Sequence, residues 1–175
     1  MRRTSGAPAF HRRRFLALAG GGTAALGSLL FLPSSAEAAW PKLRDGDVFL
    51  TRNPRNNMVP GYWNHAALYA SGLVYEAQVN PGIRTVPFNV FYGTYPRIAV
   101  LRLNAQYLVP RMLWYARSLV GKPYTVLPVH GGYTCVFYVR VSYYFATLAY
   151  APTDPGWIIP DHIAADRRLI SVGSK

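Results

Sequence analysis

The segment YWNHAALYASGLVYEAQ, residues 62–78, contains the strongest structural signal in this chain. Apolar and aromatic residues flank the dipeptide Ser71-Gly72, a pattern typical of a β-hairpin with a two-residue turn. In that register Ala67 pairs with Glu76 across the two strands. The same register also pairs Ala70 with Leu73 and Tyr69 with Val74.

The hairpin brings three polar side chains to one side of the predicted sheet. His65 lies directly opposite Gln78, and Glu76 is its diagonal neighbour, within reach of a long side chain. A carboxylate among apolar strand residues is costly unless it is paired, so we expect Glu76 to hold one nitrogen of the His65 imidazole. Gln78 is the alternative partner, and a three-residue turn would move Glu76 to the opposite face.

Cys135 is the single cysteine of the chain, so it cannot form an internal disulfide. It follows Gly131-Gly132-Tyr133-Thr134 and opens an apolar run that is typical of a helix start. The positive end of a helix dipole and its free N–H groups favour a thiolate at that position. The alternative is a small buried hydrophobic residue, which is what a free cysteine usually is.

The predicted catalytic residues are Cys135 as nucleophile, His65 as general base and Glu76 as the orienting residue. His130 and His162 are rival bases, but a strand is a more rigid platform for His65. The alternative for His65 is a hydrogen-bonded core histidine. No metal site is predicted, since the histidines lack close ligand spacing and one cysteine is too few for structural zinc. We also predict no cofactor.

The chain after residue 39 predicts one small α+β domain, residues 40–175. Further strands are expected at residues 47–52, 83–86 and 98–103, and two main helices at residues 105–120 and 135–149. The second of these helices is apolar nearly all round and should be buried. The tail predicts a short helix capped by Asp161 and a closing strand. The predicted architecture is a small antiparallel sheet packed against two main helices.

Residues 1–39 have the pattern of a signal peptide. Arginines are followed by a short Gly-, Ala- and Leu-rich segment and by Ala36-Glu37-Ala38, a cleavage-site pattern. The segment is too short and too glycine-rich for a membrane span, so no transmembrane anchor is predicted in the mature chain. Arg12-Arg13 with Phe15-Leu16 resembles the twin-arginine signature, and an ordinary secretory signal with surplus arginine is the alternative. We therefore expect an exported protein.

The net charge of +12 falls when this segment is removed. Residues 1–39 hold five of the 19 basic and one of the seven acidic residues, which leaves 14 against six, or +8. A basic exported domain is attracted to anionic envelope polymers or lipid headgroups, although scattered basic residues are equally typical of a solvated surface. Nucleic acid is not a predicted partner, because the mature chain has no Lys/Arg run and no recognition motif.

Several short motifs occur in the order found in a known family. They are Gly46-Asp47-Val48, Asn64-His65-Ala66-Ala67-Leu68-Tyr69, Tyr75-Glu76-Ala77, Tyr133-Thr134-Cys135-Val136 and Pro155-Gly156-Trp157. Together they resemble the permuted papain-like amidases of the YiiX/YaeF type, a branch of the NlpC-related cysteine hydrolases with lecithin:retinol acyltransferase as a more distant relative. The resemblance covers nearly all of the mature chain.

This resemblance implies a circularly permuted papain-like fold with Cys135 as nucleophile, His65 as base and Glu76 as orienting residue. It implies a hydrolase that cleaves an amide or ester through a thioester acyl-enzyme, with the Cys135 N–H as an oxyanion donor. The expected substrates are cell-wall peptides or acylated lipids. Acyl transfer to an alcohol or amine is one alternative, and a non-catalytic envelope-binding protein is the other.

Overall fold

The computed structural model describes residues 40–52, 59–125, 133–148 and 154–175. Six strands within these ranges form one sheet, in which every neighbouring pair is antiparallel. The strands are β1 (Val48–Arg52), β2 (His65–Ala70), β3 (Leu73–Gln78), β4 (Gly82–Pro87), β5 (Arg97–Leu103) and β6 (Leu169–Ser174). Their order across the sheet is β4-β3-β2-β1-β5-β6.

Four α-helices accompany the sheet in the described part of the chain. They are α1 (Phe88–Thr94), α2 (Val109–Ser118), α3 (Cys135–Thr147) and α4 (Pro160–Ala164), and a 3₁₀ turn at Gln106–Leu108 leads into α2. The α+β class and the antiparallel sheet agree with the prediction. The predicted signal peptide, residues 1–39, lies outside the described residues.

The β2–β3 hairpin has the predicted register. Ala67 pairs with Glu76, Tyr69 with Val74 and Ala70 with Leu73. The turn residues Ser71 and Gly72 have φ angles of 52° and 80°. Two consecutive positive φ angles are typical of a type I′ turn, whose twist matches that of the flanking strands. The two-residue turn therefore sets which side chains of β3 share a face with His65.

The two faces of the sheet are covered by different elements. On one face, α2 and α3 pack on alternate residues of the strands, including Leu50, Ala66 and Leu68, and form the larger core. On the other face, Phe91 and Tyr95 pack on Phe49 and form a smaller core. Alternate strand residues thus bury against one layer or the other, which explains why so few positions of β1 and β2 are exposed.

Three details differ from the sequence prediction. Helix α1 was not predicted, and it supplies much of the second core. The helix expected at residues 105–120 begins as a 3₁₀ turn and continues as α2. The prediction that Asp161 caps α4 is wrong. The residue before the helix is Ile159, and the Asp161 carboxylate instead accepts the Trp63 N–H.

Candidate active site

Cys135 is the first residue of α3 and lies against the end of the β2–β3 hairpin. Thr134 precedes the helix, and its hydroxyl accepts the Phe137 N–H at 3.0 Å, which fixes the first turn. The β2–β3 ladder ends at Ala67 and Glu76, so the Ala66 N–H lies just beyond it. This N–H donates to the Cys135 sulfur. The thiol therefore occupies the opening where the two strands separate.

His65 is the first residue of β2 and contacts both other predicted site residues. Its Nε2 lies 2.9 Å from Oε2 of Glu76, and its ring also makes a hydrogen bond with the Cys135 side chain. Because Nε2 faces the carboxylate, Nδ1 is the nitrogen left for the sulfur. The Tyr95 ring stacks on the imidazole, with centroids 5.5 Å apart and planes 18° apart. The imidazole is thus held from three sides.

Glu76 is buried, with 1 % of its side chain exposed, and it binds several donors. Oε2 accepts the Gln78 amide at 2.9 Å in addition to His65. Oε1 accepts Nε and Nη2 of Arg84 at 2.9 and 2.7 Å. Gln78 approaches His65 Nε2 only at 3.4 Å and donates to Tyr95 as well. Of the two orienting residues considered, Glu76 is the one that engages the imidazole, and Gln78 supports it.

The thiol and the imidazole shift each other's protonation. Burial raises the pKa of the Cys135 thiol, but the hydrogen bond and charge of His65 and the N–H groups of Ala66 and Val136 outweigh it, so this pKa is lowered. Burial lowers the pKa of His65, yet hydrogen bonds to Cys135 and Glu76 raise it to about 9. Each group therefore stabilises the charged form of the other.

The carboxylate stays ionised in this setting. Burial raises the pKa of Glu76, but the hydrogen bond and charge of His65, with further donors from Gln78 and Arg84, bring it to about 2. Cys135, His65 and Glu76 therefore form a chain in which a thiolate, an imidazolium and a carboxylate stabilise one another. Such a chain can perform nucleophilic catalysis, with the carboxylate fixing the imidazole tautomer.

The two rival bases have other positions. His162 is exposed on α4, where its Nδ1 accepts the Ile158 N–H at 3.2 Å. His130 lies outside the described residues. Among the predicted residues, the structure brings together Cys135, His65 and Glu76.

Three residues of the site were missed by the sequence reasoning. Arg84 pairs directly with Glu76 in the β3–β4 register, which the sequence prediction did not assign across the three-residue turn between these strands. Tyr95 follows α1, which was not predicted. Burial and the charge of Cys135 raise the pKa of Tyr124, which lies near the thiol. No signal in the sequence separates Tyr95 or Tyr124 from the other tyrosines.

A cleft of about 320 Å³ opens beside the strand ends that carry the site. It is lined by Arg52, Tyr62, Pro96 and Arg97. Thr51, the residue before Arg52, pairs with His65 in the β1–β2 register. Pro96 and Arg97 directly follow Tyr95, which stacks on His65. Two residues next to the cleft lining in sequence are thus neighbours of His65.

No model of a known protein family matches this chain, and no curated protein matches it either. Within the described ranges, no three His, Cys, Asp or Glu side chains are grouped so that they would hold a metal ion. In the same part of the chain, every helix is too short or too polar to cross a membrane.

Proposed function

We propose that this protein is an exported cysteine hydrolase that cleaves an amide or ester bond through a thioester acyl-enzyme. We also propose that its fold is the circularly permuted papain-like fold of the YiiX/YaeF-type amidases, and that export uses the twin-arginine route. The observation that carries the proposed chemistry is the contact of Cys135, at a helix N-terminus, with a His65 imidazole that is itself bonded to Glu76.

The first half of the reaction forms the acyl-enzyme. The Cys135 thiolate attacks the carbonyl carbon, and the carbonyl oxygen becomes an oxyanion next to the first N–H groups of α3. The His65 imidazolium then gives its proton to the leaving amine or alkoxide, and the C–N or C–O bond breaks. A neutral imidazole and a thioester remain.

The second half releases the acid. Neutral His65 takes a proton from water, and the resulting hydroxide attacks the thioester carbon. The C–S bond breaks, which restores the thiolate beside the imidazolium. Throughout, the Glu76 carboxylate holds Nε2 and so keeps Nδ1 directed at the reacting atoms.

Acyl transfer is the second candidate, and the burial of the site favours it. Cys135 and His65 are only 6 % and 7 % exposed, so water has limited access to a thioester formed there. An alcohol or amine bound near the site would then accept the acyl group in place of water. The substrates we propose for either reaction are cell-wall peptides or acylated lipids.

The experiment that tests the proposal is the rate of Cys135 alkylation by iodoacetamide as a function of pH. For the wild-type protein we expect rapid alkylation well below the free-thiol pKa of about 8.5. His65→Ala should shift this profile toward that value, because the thiolate loses its imidazolium partner. His162→Ala is the matched control, since this exposed histidine lies on α4, and its profile should equal that of the wild type.

A thiol that reacts only above its free pKa, or that does not respond to His65→Ala, would contradict the proposal. The non-catalytic envelope-binding protein would then be the better interpretation. A reactive thiol combined with release of product from an ester only when an amine or alcohol is added would favour acyl transfer.

A further inference from the structure

The cleft beside the site contains two arginines in an unfavourable arrangement. Arg52 and Arg97 are directly opposite each other in the β1–β5 register, and both line the cleft. Like charges at opposed positions of neighbouring strands repel each other. An anion bound between the two guanidinium groups would remove this repulsion.

Arg52 is already held in position. Its guanidinium lies 4.6 Å from the centroid of the Tyr62 ring and donates to the Tyr62 carbonyl oxygen. Tyr62 in turn packs edge-on against Trp63, with centroids 4.8 Å apart. A guanidinium fixed in this way loses little further side-chain freedom when it binds an anion.

The described carboxylates all have partners elsewhere. Asp161 is the acid that contacts a neighbour of the cleft lining. Its carboxylate accepts the N–H of Trp63, the residue after Tyr62, and Asp161 itself does not line the cleft. The remaining pairs are Asp45 with Ser71, Asp47 with Arg102, Glu76 with Arg84 and His65, Asp154 with Arg140, and Asp166 with Arg168. Among the described residues, the cleft lining thus includes two arginines and no Asp or Glu side chain.

Arg52 lies on the face of β1 that is turned toward α3, the helix that carries Cys135. Leu50 and Ala66 are opposed in the β1–β2 register and pack toward α3, and the Ala66 N–H contacts the Cys135 sulfur. Side chains two residues apart in a strand share a face, so Arg52 projects from the same face as Leu50. Two residues of strand span roughly 7 Å. With the spacing of about 4.8 Å between β1 and β2 added, the Cα of Arg52 lies roughly 8 Å from that of Ala66. An extended substrate with its carbonyl at Cys135 would therefore bring a group several ångströms away within reach of the long Arg52 and Arg97 side chains.

We propose that Arg52 and Arg97 form a subsite for an anionic oxygen group of the substrate, a carboxylate or a phosphate, several ångströms from the scissile carbonyl. This assignment rests on the proposed hydrolase function and adds its substrate class. Arginine binds both groups through paired N–H donors. The volume of the cleft, about 320 Å³, is sufficient for such a group and its linker.

The experiment compares three 4-nitrophenyl esters of similar length. They are the hexanoate, which is neutral, the hydrogen adipate, which ends in a carboxylate, and the 5-phosphonopentanoate, which ends in a phosphonate. We expect the wild-type kcat/KM for the better anionic ester to exceed that for the hexanoate about tenfold or more. The preferred anion distinguishes a carboxylate substrate from a phosphate substrate.

Arg97→Gln and Arg52→Gln should each lower the ratio of kcat/KM for the anionic ester to that for the hexanoate about tenfold. Arg117→Gln, the same change at an exposed arginine on α2, should leave this ratio unchanged. A wild-type enzyme that shows no preference for the anionic esters would overturn the subsite. The subsite is also overturned if all three variants give the wild-type ratio.

A failure of the proposed function is separable from a failure of the subsite. If none of the esters is cleaved, calorimetric titration of the wild-type protein with inorganic phosphate and with adipate tests the subsite alone. Binding that Arg97→Gln weakens and Arg117→Gln does not would support an anion site in a protein without hydrolase activity. The absence of binding to both anions would reject the site.

Discussion

Asp47 and Glu76 are both buried carboxylates that bind an arginine from a neighbouring strand, but their remaining partners differ. Asp47, just before β1, accepts Nε and Nη2 of Arg102, each at 2.8 Å, and the Arg44 N–H at 2.8 Å. Glu76, in β3, accepts Arg84 on one oxygen and His65 on the other. The partners of Asp47 keep their protons at all pH values of interest. Glu76, in contrast, binds one arginine and one histidine, and the histidine can gain or lose its proton.

The two arginines differ in exposure as well. The Arg102 side chain is 13 % exposed and that of Arg84 is 40 % exposed. Water therefore weakens the Arg84 pair more than the Arg102 pair. The Asp47–Arg102 ion pair stabilises the fold. The Glu76–Arg84 ion pair uses one carboxylate oxygen, and the other oxygen can stabilise a protonated His65.

The largest effect is expected for Glu76→Gln. Because an amide cannot stabilise the imidazolium, we expect kcat/KM for ester cleavage to fall roughly 10²- to 10⁴-fold. The rapid alkylation of Cys135 at acidic pH should also be lost. Asp47→Asn makes the same chemical change at the other carboxylate and should alter kcat/KM of the folded protein less than about threefold. Equal losses in both variants would mean that Glu76 has only a structural role.

Asp47→Asn should instead reduce stability. The Arg102 guanidinium would lose its buried partner, which costs about 3 kcal/mol in the free energy of unfolding. Urea denaturation measures this change. Asp45→Asn, at the exposed acid two residues earlier, should change the same quantity by less than about 1 kcal/mol. Similar values for the two variants would show that the Asp47 pair contributes little.

The pH dependence of stability should distinguish Glu76 from its amide. The pKa of Glu76 is lowered from 4.5 to about 2, so its ionised form stabilises the fold above pH 4.5 and this contribution disappears as the pH falls through 2. The contribution amounts to roughly 3 kcal/mol. The difference in unfolding free energy between wild type and Glu76→Gln should therefore shrink between pH 4.5 and 2. A difference that stays constant over this range would contradict the lowered pKa.

The smallest effect is expected for Arg84→Gln. Since Glu76 keeps His65 and Gln78 as donors and Arg84 is partly exposed, the free energy of unfolding should fall by less than about 1 kcal/mol. Arg102→Gln leaves Asp47 buried without its cation and should cost about 3 kcal/mol. Urea denaturation of both variants compares the pairs directly. A larger loss of stability for Arg84→Gln than for Arg102→Gln would mean that the Glu76 pair, and not the Asp47 pair, is the one that stabilises the fold.

The hairpin could be predicted because its determinants are local. Ser71-Gly72 selects a two-residue turn, and the period of two along a strand then places Glu76 on the diagonal from His65. The start of α3 at Cys135 could also be predicted, since an apolar run begins there and the preceding residue, Thr134, is a favourable N-cap. Both elements depend on residues close together in sequence.

The features that escaped prediction depend on distant contacts. Helix α1 has neither a side-chain cap nor an acidic first turn, and its aromatic residues also suit a strand, so packing on the sheet decides its form. Asp161 is a residue type that favours helix caps, yet it lies inside α4 and its carboxylate accepts the N–H of Trp63, 98 residues away. The charged lining of the cleft likewise arises from β1 and β5, which become neighbours only in the folded sheet.

The position of Cys135 at the end of the β2–β3 ladder has a consequence for folding. His65 and Glu76 belong to one hairpin and meet through local contacts, whereas Cys135 belongs to a helix that begins 59 residues after Glu76. Local pairings close quickly and long-range docking is slower. During refolding we therefore expect Cys135 to react with iodoacetamide like a free thiol until α3 docks. The time at which its alkylation rate changes then reports when α3 docks on the hairpin.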